Sequence, residues 1–439
     1  MSAITIETFG CRLNLAESDA IVREAERVGA AGLSIVNSCA VTGEALRQAR
    51  QAARRLKRER PFARVVVAGC GAEIDAAAFA AMPEVDAVIG NREKRDGAAL
   101  ARIAAGAAPR VTVGANSTPP ASPAIADART RAFVEIQNGC DHRCTFCVIP
   151  LARGPSRSLD PAQIVADIQR LVANGVAEIV LTGVDITAYG LDAPDAPRLG
   201  GLVRRILAET PDLKRLRLSS IDSVEVDAEL ERAIAVEKRL MPHLHLSLQS
   251  GDDLVLKRMK RRHSRADAVR FCERARRARP DIAFSADIIV GFPTESEAMF
   301  ENSLRLVADC GLARAHVFPF SPRPGTPAAR MPRVPAGIAR ERAARLREAS
   351  GAAWAKRLAQ HVGRAAPILM ERGGIGRMED FTPVRLDGVA PGAICAAFIE
   401  ASDGRELRGR IALATRRPSR DHERLLNGKR RRSAAGRLL

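Results

Sequence analysis

Residues Asn138–Pro150 read NGCDHRCTFCVIP, and three cysteines, Cys140, Cys144 and Cys147, stand there in a C-x3-C-x2-C spacing directly after the apolar run AFVEIQ (132–137). That order puts three thiols in one short loop at the carboxyl end of an expected strand. Three thiolates can hold three irons of a 4Fe–4S cube and leave the fourth iron without a protein ligand. An open coordination site is where a substrate or cofactor can bind. The competing reading is zinc, which takes four ligands, usually in paired C-x2-C or Cys/His arrangements, and only His142 lies close by as a fourth.

Working outward, strand-like runs recur between amphipathic helical segments: EIVLTGV (178–184), RLRLSS (215–220), HLHLSLQ (243–249), FSADIIVG (284–291) and ARAHVFPF (313–320). With AFVEIQ these make six strand–helix units and predict an open parallel (β/α)6 partial barrel over residues 131–355. The cysteine spacing and its position resemble the radical S-adenosylmethionine (SAM) superfamily, where the amino and carboxylate groups of SAM chelate the open iron. LTGVD (Leu181–Asp185), SLQSG (Ser247–Gly251) and IIVGFPTE (Ile288–Glu295) then fall where such enzymes bind the methionine end, ribose and adenine of SAM. The resemblance makes Gly183, Gln249, Gly291 and Glu295 candidate SAM contacts, with Phe146 packed by the adenine. A glycine in such a place also serves as a plain turn residue, and an aromatic as core.

Upstream, ITIETFG (4–10), LSIVNS (33–38) and RVVVAG (64–69) are short apolar runs, each followed by a segment of helical periodicity. They predict a three-layer α/β domain with a parallel sheet over residues 1–116. Cys11, Cys39 and Cys70 each follow the end of one of these strands, so in a parallel sheet the three thiols converge at the edge where α/β folds bind ligands. Three ligands again imply a cluster with one free iron; the alternative is three separate buried cysteines. Cys272, Cys310 and Cys395 have no such companions and read as packing residues.

A Pro-, Ser- and Ala-rich passage (STPPASPAIAD, Ser117–Asp127) marks a linker over 117–130. From Val362 to Ile411 the pattern changes to short alternating runs with Gly-rich turns, such as PILMER, FTPVRL and AICAAFIEA, which predicts a small antiparallel β-barrel over 356–415. Residues 416–439 form a basic tail.

The formal net charge of +18 favours a polyanionic partner, nucleic acid before membrane, because no apolar run approaches bilayer-spanning length. Nine cysteines behind a start, MSAITIETFGC, without a signal-peptide h-region suggest a reducing compartment, the cytoplasm by default.

TFGCRLNLAESD (Thr8–Asp19), IVNSCAVT (Ile35–Thr42), VAGC (Val67–Cys70), VIGNREK (Val88–Lys94), HLSLQSGDDLVLKRMKRRHSR (His245–Arg265) and PFSPRPGTPAA (Pro319–Ala329) resemble, in this order, the radical SAM methylthiotransferases. The resemblance spans nearly the whole chain. It implies two 4Fe–4S clusters, one making the radical and one carrying sulfur, together with a sulfur donor and an electron donor such as flavodoxin or ferredoxin. FGCRLNLAES, NSCAVT and GNREK look most like the branch that acts on N6-threonylcarbamoyladenosine just 3′ of the tRNA anticodon. The other branches act on isopentenyladenosine in tRNA and on a ribosomal-protein aspartate. A rival of another class is a non-catalytic, zinc-dependent RNA-binding protein. The last barrel resembles the TRAM domain, an RNA-binding module, and Arg153 and Arg157 in LARGPSRS are candidates to meet the phosphates of the anticodon stem-loop. Aromatics make up only 3% of the chain, and Phe320 stands where relatives often have Tyr.

Overall fold

The computed structural model describes residues 4–114, 130–193 and 195–412. The expected linker, apart from Thr130, and the basic tail lie outside them.

In the N-terminal part β1 (Thr5–Thr8), β2 (Leu33–Ser38), β3 (Arg64–Gly69), β4 (Ala87–Ile89) and β5 (Val111–Thr112) form one parallel sheet in sequential order. The last two strands are so short that the sequence pattern does not announce them. Apolar side chains alternate across the pleat. Leu33, Ile35, Val66, Ala68 and Ile89 face one core with Ile21 of α1 (Arg12–Arg27) and Leu100 of α5 (Gly97–Ala105). Val36, Val65, Val67 and Val88 face another, with Leu46 and Leu56 of α2 (Gly43–Glu59) and Phe79 of α4 (Ala76–Ala80). Two cores on opposite faces make the three layers that the strand–helix alternation predicts. α3 (Cys70–Ile74) follows β3 directly.

The central domain is an open arc. β6 (Arg131–Glu135), β9 (Glu178–Thr182) and β10 (Arg215–Leu218) pair in parallel, as do β11 (Ser220–Ile221), β12 (His243–Gln249), β13 (Ala283–Val290) and β14 (Leu312–Pro319). The two sheets join through a Leu216–Leu240 bridge and the Met241 N–H donating to Leu216 O at 2.8 Å. β10 and β11 act as one strand broken at Ser219, so the arc has the expected six strands. β7 (Gln137–Asn138) and β8 (Arg157–Ser158) form a small clip around the cysteine loop, which ends in α6 (Ile149–Arg153). α7 (Pro161–Ala173), α8 (Leu199–Glu209), α9 (Ala228–Val236), α10 (Asp253–Arg258), α11 (Arg265–Ala278) and α12 (Glu297–Asp309) provide the outer layer. The HLHLSLQ strand shows why the arc has a usable interior: Leu244, Leu246 and Leu248 join the core under the helices, while His243, His245 and Ser247 line a central cavity.

β15 (Ala365–Met370), β16 (Ile375–Arg377), β17 (Pro383–Arg385), β18 (Ile394–Ser402) and β19 (Leu407–Ile411) close into a barrel in the order β15-β16-β17-β19-β18. It is not wholly antiparallel, because β17 and β19 pair in parallel. α13 (Ala336–Ala359) runs through the boundary expected between residues 355 and 356. Its Ala343 and Leu346 pack in the central core, and Leu358 packs in the small barrel's core. One helix therefore belongs to both domains.

Candidate active site

The cysteine loop is held by backbone constraints on both sides. Gly139 has φ +75°, and a Cβ there would stand 1.8 Å from Pro155 O, so only glycine lets the loop fold back. Cys140 N–H donates to Gly154 O at 3.1 Å, and Cys147 N–H to Cys144 O at 3.1 Å. Burial pushes the Cys140 thiol up to about 12 and the Cys147 thiol to about 11, so a bound metal must displace their protons. Arg261 points one guanidinium nitrogen at Cys144 Sγ (3.7 Å) and gives the other to Asp222 (2.6 Å) and Ser247 O (2.8 Å).

Among the described residues, the one group of three candidate ligand atoms within 4.8 Å of one another is Cys140, His142 and Asp185. His142 Nε2 is already engaged by Asp185 at 2.6 Å. The three loop thiols are not gathered around a single point, as a tetrahedral zinc would require.

The residues expected to contact SAM fall in three places: Gly183 by the cavity, Gln249 at the end of its strand, and Phe146, Gly291 and Glu295 in or beside an apolar cluster. Gly183 lies at the end of β9, where a Cβ would stand 2.7 Å from Gln137 O, and it lines the cavity. Gln249 ends β12 at φ +66°, an unusual conformation for a side-chain-bearing residue. Phe146 meets Phe292 edge-on at 6.5 Å, and Phe292 meets Phe320 at 5.5 Å, so it belongs to an apolar cluster. Glu295 is buried and folds its own loop: its carboxylate accepts the Gly291 N–H and lies 3.4 Å from Arg342.

The N-terminal cysteines gather at the β1–β3 edge. Gly10 sits so close to Cys39 that an added Cβ would be 2.6 Å from that residue's own Cβ. Cys11 is the residue before α1, Cys70 is the first residue of α3, and all three cysteines border the same cavity. Burial, with Cys70 and Cys11 as further anionic neighbours, pushes the Cys39 thiol up to about 12.

The expectation that Arg153 meets RNA phosphates does not survive. The side chain is buried and donates from Nε to Cys70 Sγ at 3.1 Å, from NH1 to Glu17 at 2.8 Å and from NH2 to Asn14 Oδ1 at 2.7 Å. Glu17 also receives Lys94 (2.6 Å) and Arg95 (2.7 Å), and Arg95 reaches Glu135 at 2.8 Å. Three buried cations thus face two carboxylates, and the surplus positive charge lies against Cys70. Arg157, by contrast, is half-buried on β8. Sequence reasoning missed Asn14, Glu17, Lys94, Arg95 and Arg261; the signal for the first two was their spacing of three and six residues from Cys11 on one helix.

Cys11, Cys39 and Cys70 border a cavity of about 550 Å³ walled by all three domains, which Ile149 and Arg153, just beyond the C-x3-C-x2-C loop, also reach. Inside it His245 hydrogen-bonds Ser285 (2.8 Å), Ser285 bonds His243 (3.0 Å), and His245 Nε2 meets Asp287 at 3.1 Å. Burial and the nearby Arg217 hold His243 well below the usual histidine range, hence neutral. Phe381 of the small barrel, at φ +72°, projects into a ring of guanidinium groups: Arg217 and Arg377 at 4.8 Å, Arg131 at 5.0 Å and Arg12 at 5.5 Å from its centroid. Cys272 and Cys310 lie in the central core, and Cys395 packs against the small barrel's core.

The Radical SAM superfamily model matches residues 134–307, and a second model, described as Uncharacterized protein family UPF0004, matches residues 3–90. The chain is 46% identical over 386 residues to the threonylcarbamoyladenosine tRNA methylthiotransferase MtaB of Rickettsia prowazekii, covering 87% of this chain and 91% of that one. The chain belongs to the radical SAM methylthiotransferase family. Another methylthiotransferase, MtaB of Thermotoga maritima, is 36% identical, covering 75% of this chain and 77% of that one. The tRNA-2-methylthio-N(6)-dimethylallyladenosine synthase of Erythrobacter litoralis is also 36% identical, over 84% of this chain and 86% of that one. Among solved structures, the radical S-adenosylmethionine methyltransferase TsrM from Kitasatospora setae aligns with a TM-score of 0.52 at 16% identity, covering 75% of this chain and 77% of that one, a likeness of fold alone. For a methylthiotransferase of this superfamily, a 4Fe–4S cluster and SAM are the implied cofactors, and the Cys140, Cys144 and Cys147 donor set fits that cluster. No helix among the described residues is long and apolar enough to cross a membrane.

Proposed function

We propose that the protein inserts a methylthio group at C2 of N6-threonylcarbamoyladenosine next to the tRNA anticodon. The observation that carries this reading is the cavity shared by the N-terminal cysteines and the barrel interior, in a chain whose similar relatives bear that activity in their names. When bound, a cluster on Cys140, Cys144 and Cys147 with SAM supplies a 5′-deoxyadenosyl radical, and a second on Cys11, Cys39 and Cys70 supplies the sulfur.

The chain's own residues do the rest. Arg153, Lys94 and Arg95 hold positive charge against the second centre. Gly183 and Gln249 shape the SAM side of the barrel mouth, with Phe146 closing it. Gly291 and Glu295 fix the loop after β13. The His243–Ser285–His245–Asp287 chain orients polar groups in the cavity. Arg157 and the small barrel take the phosphates of the anticodon stem-loop. A flavodoxin- or ferredoxin-type electron donor, a sulfur donor and a cytoplasmic setting complete the reading.

Mass spectrometry of nucleosides from total tRNA, with and without the gene, tests it. Loss of the 2-methylthio derivative with accumulation of threonylcarbamoyladenosine is expected. An unchanged nucleoside profile would overturn it and transfer attention to the ribosomal-protein substrate.

A further inference from the structure

The cavity's charges do not balance. Five arginines line it (Arg12, Arg153, Arg314, Arg357 and Arg377) against two carboxylates, Asp287 and Asp380. Both acids are taken: Asp287 by His245 at 3.1 Å, Asp380 by Arg357 at 2.7 Å and His361 at 3.0 Å. Arg153 and Arg377 have their own glutamates.

Arg12 and Arg314 have none. Among the described residues neither makes a hydrogen bond or ion pair, and each only stands over an aromatic ring, Arg12 at 5.5 Å from the Phe381 centroid and Arg314 at 5.6 Å from that of Trp354. A second observation points the same way. His243, only 8% exposed, lines this cavity with Nδ1 unpartnered, and near Phe381 the buried Arg217 NH1 and Arg131 NH2 also lack partners. Buried donors without acceptors are costly unless a ligand satisfies them.

We propose that Arg12 and Arg314 form an oxyanion subsite that reads the carboxylate of the threonyl group on the substrate base. The inference rests on the substrate assignment above and deepens it. Arg12 adjoins Cys11, and C2 lies in the same ring as the C6 that bears N6, with only N1 between them, so a base that turns C2 toward the N-terminal cysteines carries its N6 substituent along the same cavity. A neutral dimethylallyl substituent leaves both guanidinium groups unpaired, which makes the pair a discriminator between the two tRNA bases as well as a source of affinity. Phosphates offer the same chemistry, but they lie on the outside of an RNA, and this pair lines an interior cavity.

The test measures binding of the reconstituted holoenzyme to three stem-loop RNAs identical except at one base: threonylcarbamoyladenosine, its carboxylate methyl ester, and dimethylallyladenosine. Arg12→Gln and Arg314→Gln are each expected to weaken the first by about 10- to 100-fold, the loss of a charge-assisted hydrogen bond, and to leave the other two unchanged. Arg12→Lys should recover part of the loss. Iron content and cluster absorbance report that each variant is folded and loaded. Equal losses for all three RNAs would assign the arginines to phosphate and overturn the proposal, as would no loss for any. Wild-type turnover of the threonylcarbamoyladenosine RNA is followed in parallel. Its absence defeats the substrate assignment itself, whereas turnover without variant discrimination defeats only the subsite.

Discussion

Arg153, six residues beyond Cys147 in the chain, donates its Nε–H to Cys70 Sγ at 3.1 Å, so the loop that carries one cysteine trio also completes the surroundings of the other. The cysteine loop and the N-terminal domain are thereby tied together across the domain boundary.

Replacing Arg153 by Met removes one partner of a buried ionic network and leaves Glu17 with two cations and Cys70 without its guanidinium donor. Breaking such a pair costs on the order of 3–5 kcal/mol. The variant is expected to lose iron from the N-terminal centre and to unfold earlier in a thermal melt. Arg153→Lys should keep the charge and restore iron only in part, because one ammonium cannot serve Cys70, Glu17 and Asn14 together. Wild-type iron content in Arg153→Met would refute this.

The two trios divide the chemistry. Cys144→Ala is expected to abolish reductive SAM cleavage, and Cys39→Ala to spare cleavage while abolishing sulfur insertion. Production of 5′-deoxyadenosine, followed by chromatography, separates the two. Equal loss of cleavage in both variants would defeat the division.

Gly139→Ala places a methyl group where Pro155 O already stands, at a φ of +75° that disfavours any side chain. The clip of β7 and β8 must open to admit it. Loss of part of the cluster absorbance in anaerobically reconstituted protein, together with loss of reductive SAM cleavage, is expected.

Glu295 is held by burial at about 7, above its ordinary 4.5. The folded protein therefore binds a proton that the unfolded chain has released, and stability falls as pH rises from about 4.5 to about 7. Glu295→Gln removes this slope. Chemical denaturation across that window checks the sign: wild type should lose stability relative to the Gln variant as pH increases.

The parts legible in the sequence are those written locally. The C-x3-C-x2-C spacing, the six barrel strands and the position of Cys11, Cys39 and Cys70 just past strand ends need only short windows and the geometry of parallel sheets. The ionic network around Glu17 was not legible, because Arg153 lies 136 residues away and a Lys or Arg in a window of sequence reads as surface charge. LARGPSRS looked like a phosphate-binding stretch for that reason. The parallel β17–β19 pairing and the continuity of α13 across residue 355 were missed because closure and helix sharing are decided by tertiary packing.

That shared helix has a mechanical consequence. Its 24 residues make a rod of roughly 36 Å, anchored at one end in the central core and at the other in the small barrel. The two domains therefore cannot turn about residue 355 without breaking helical hydrogen bonds, and Phe381 is kept at the cavity wall as a fixed part of it.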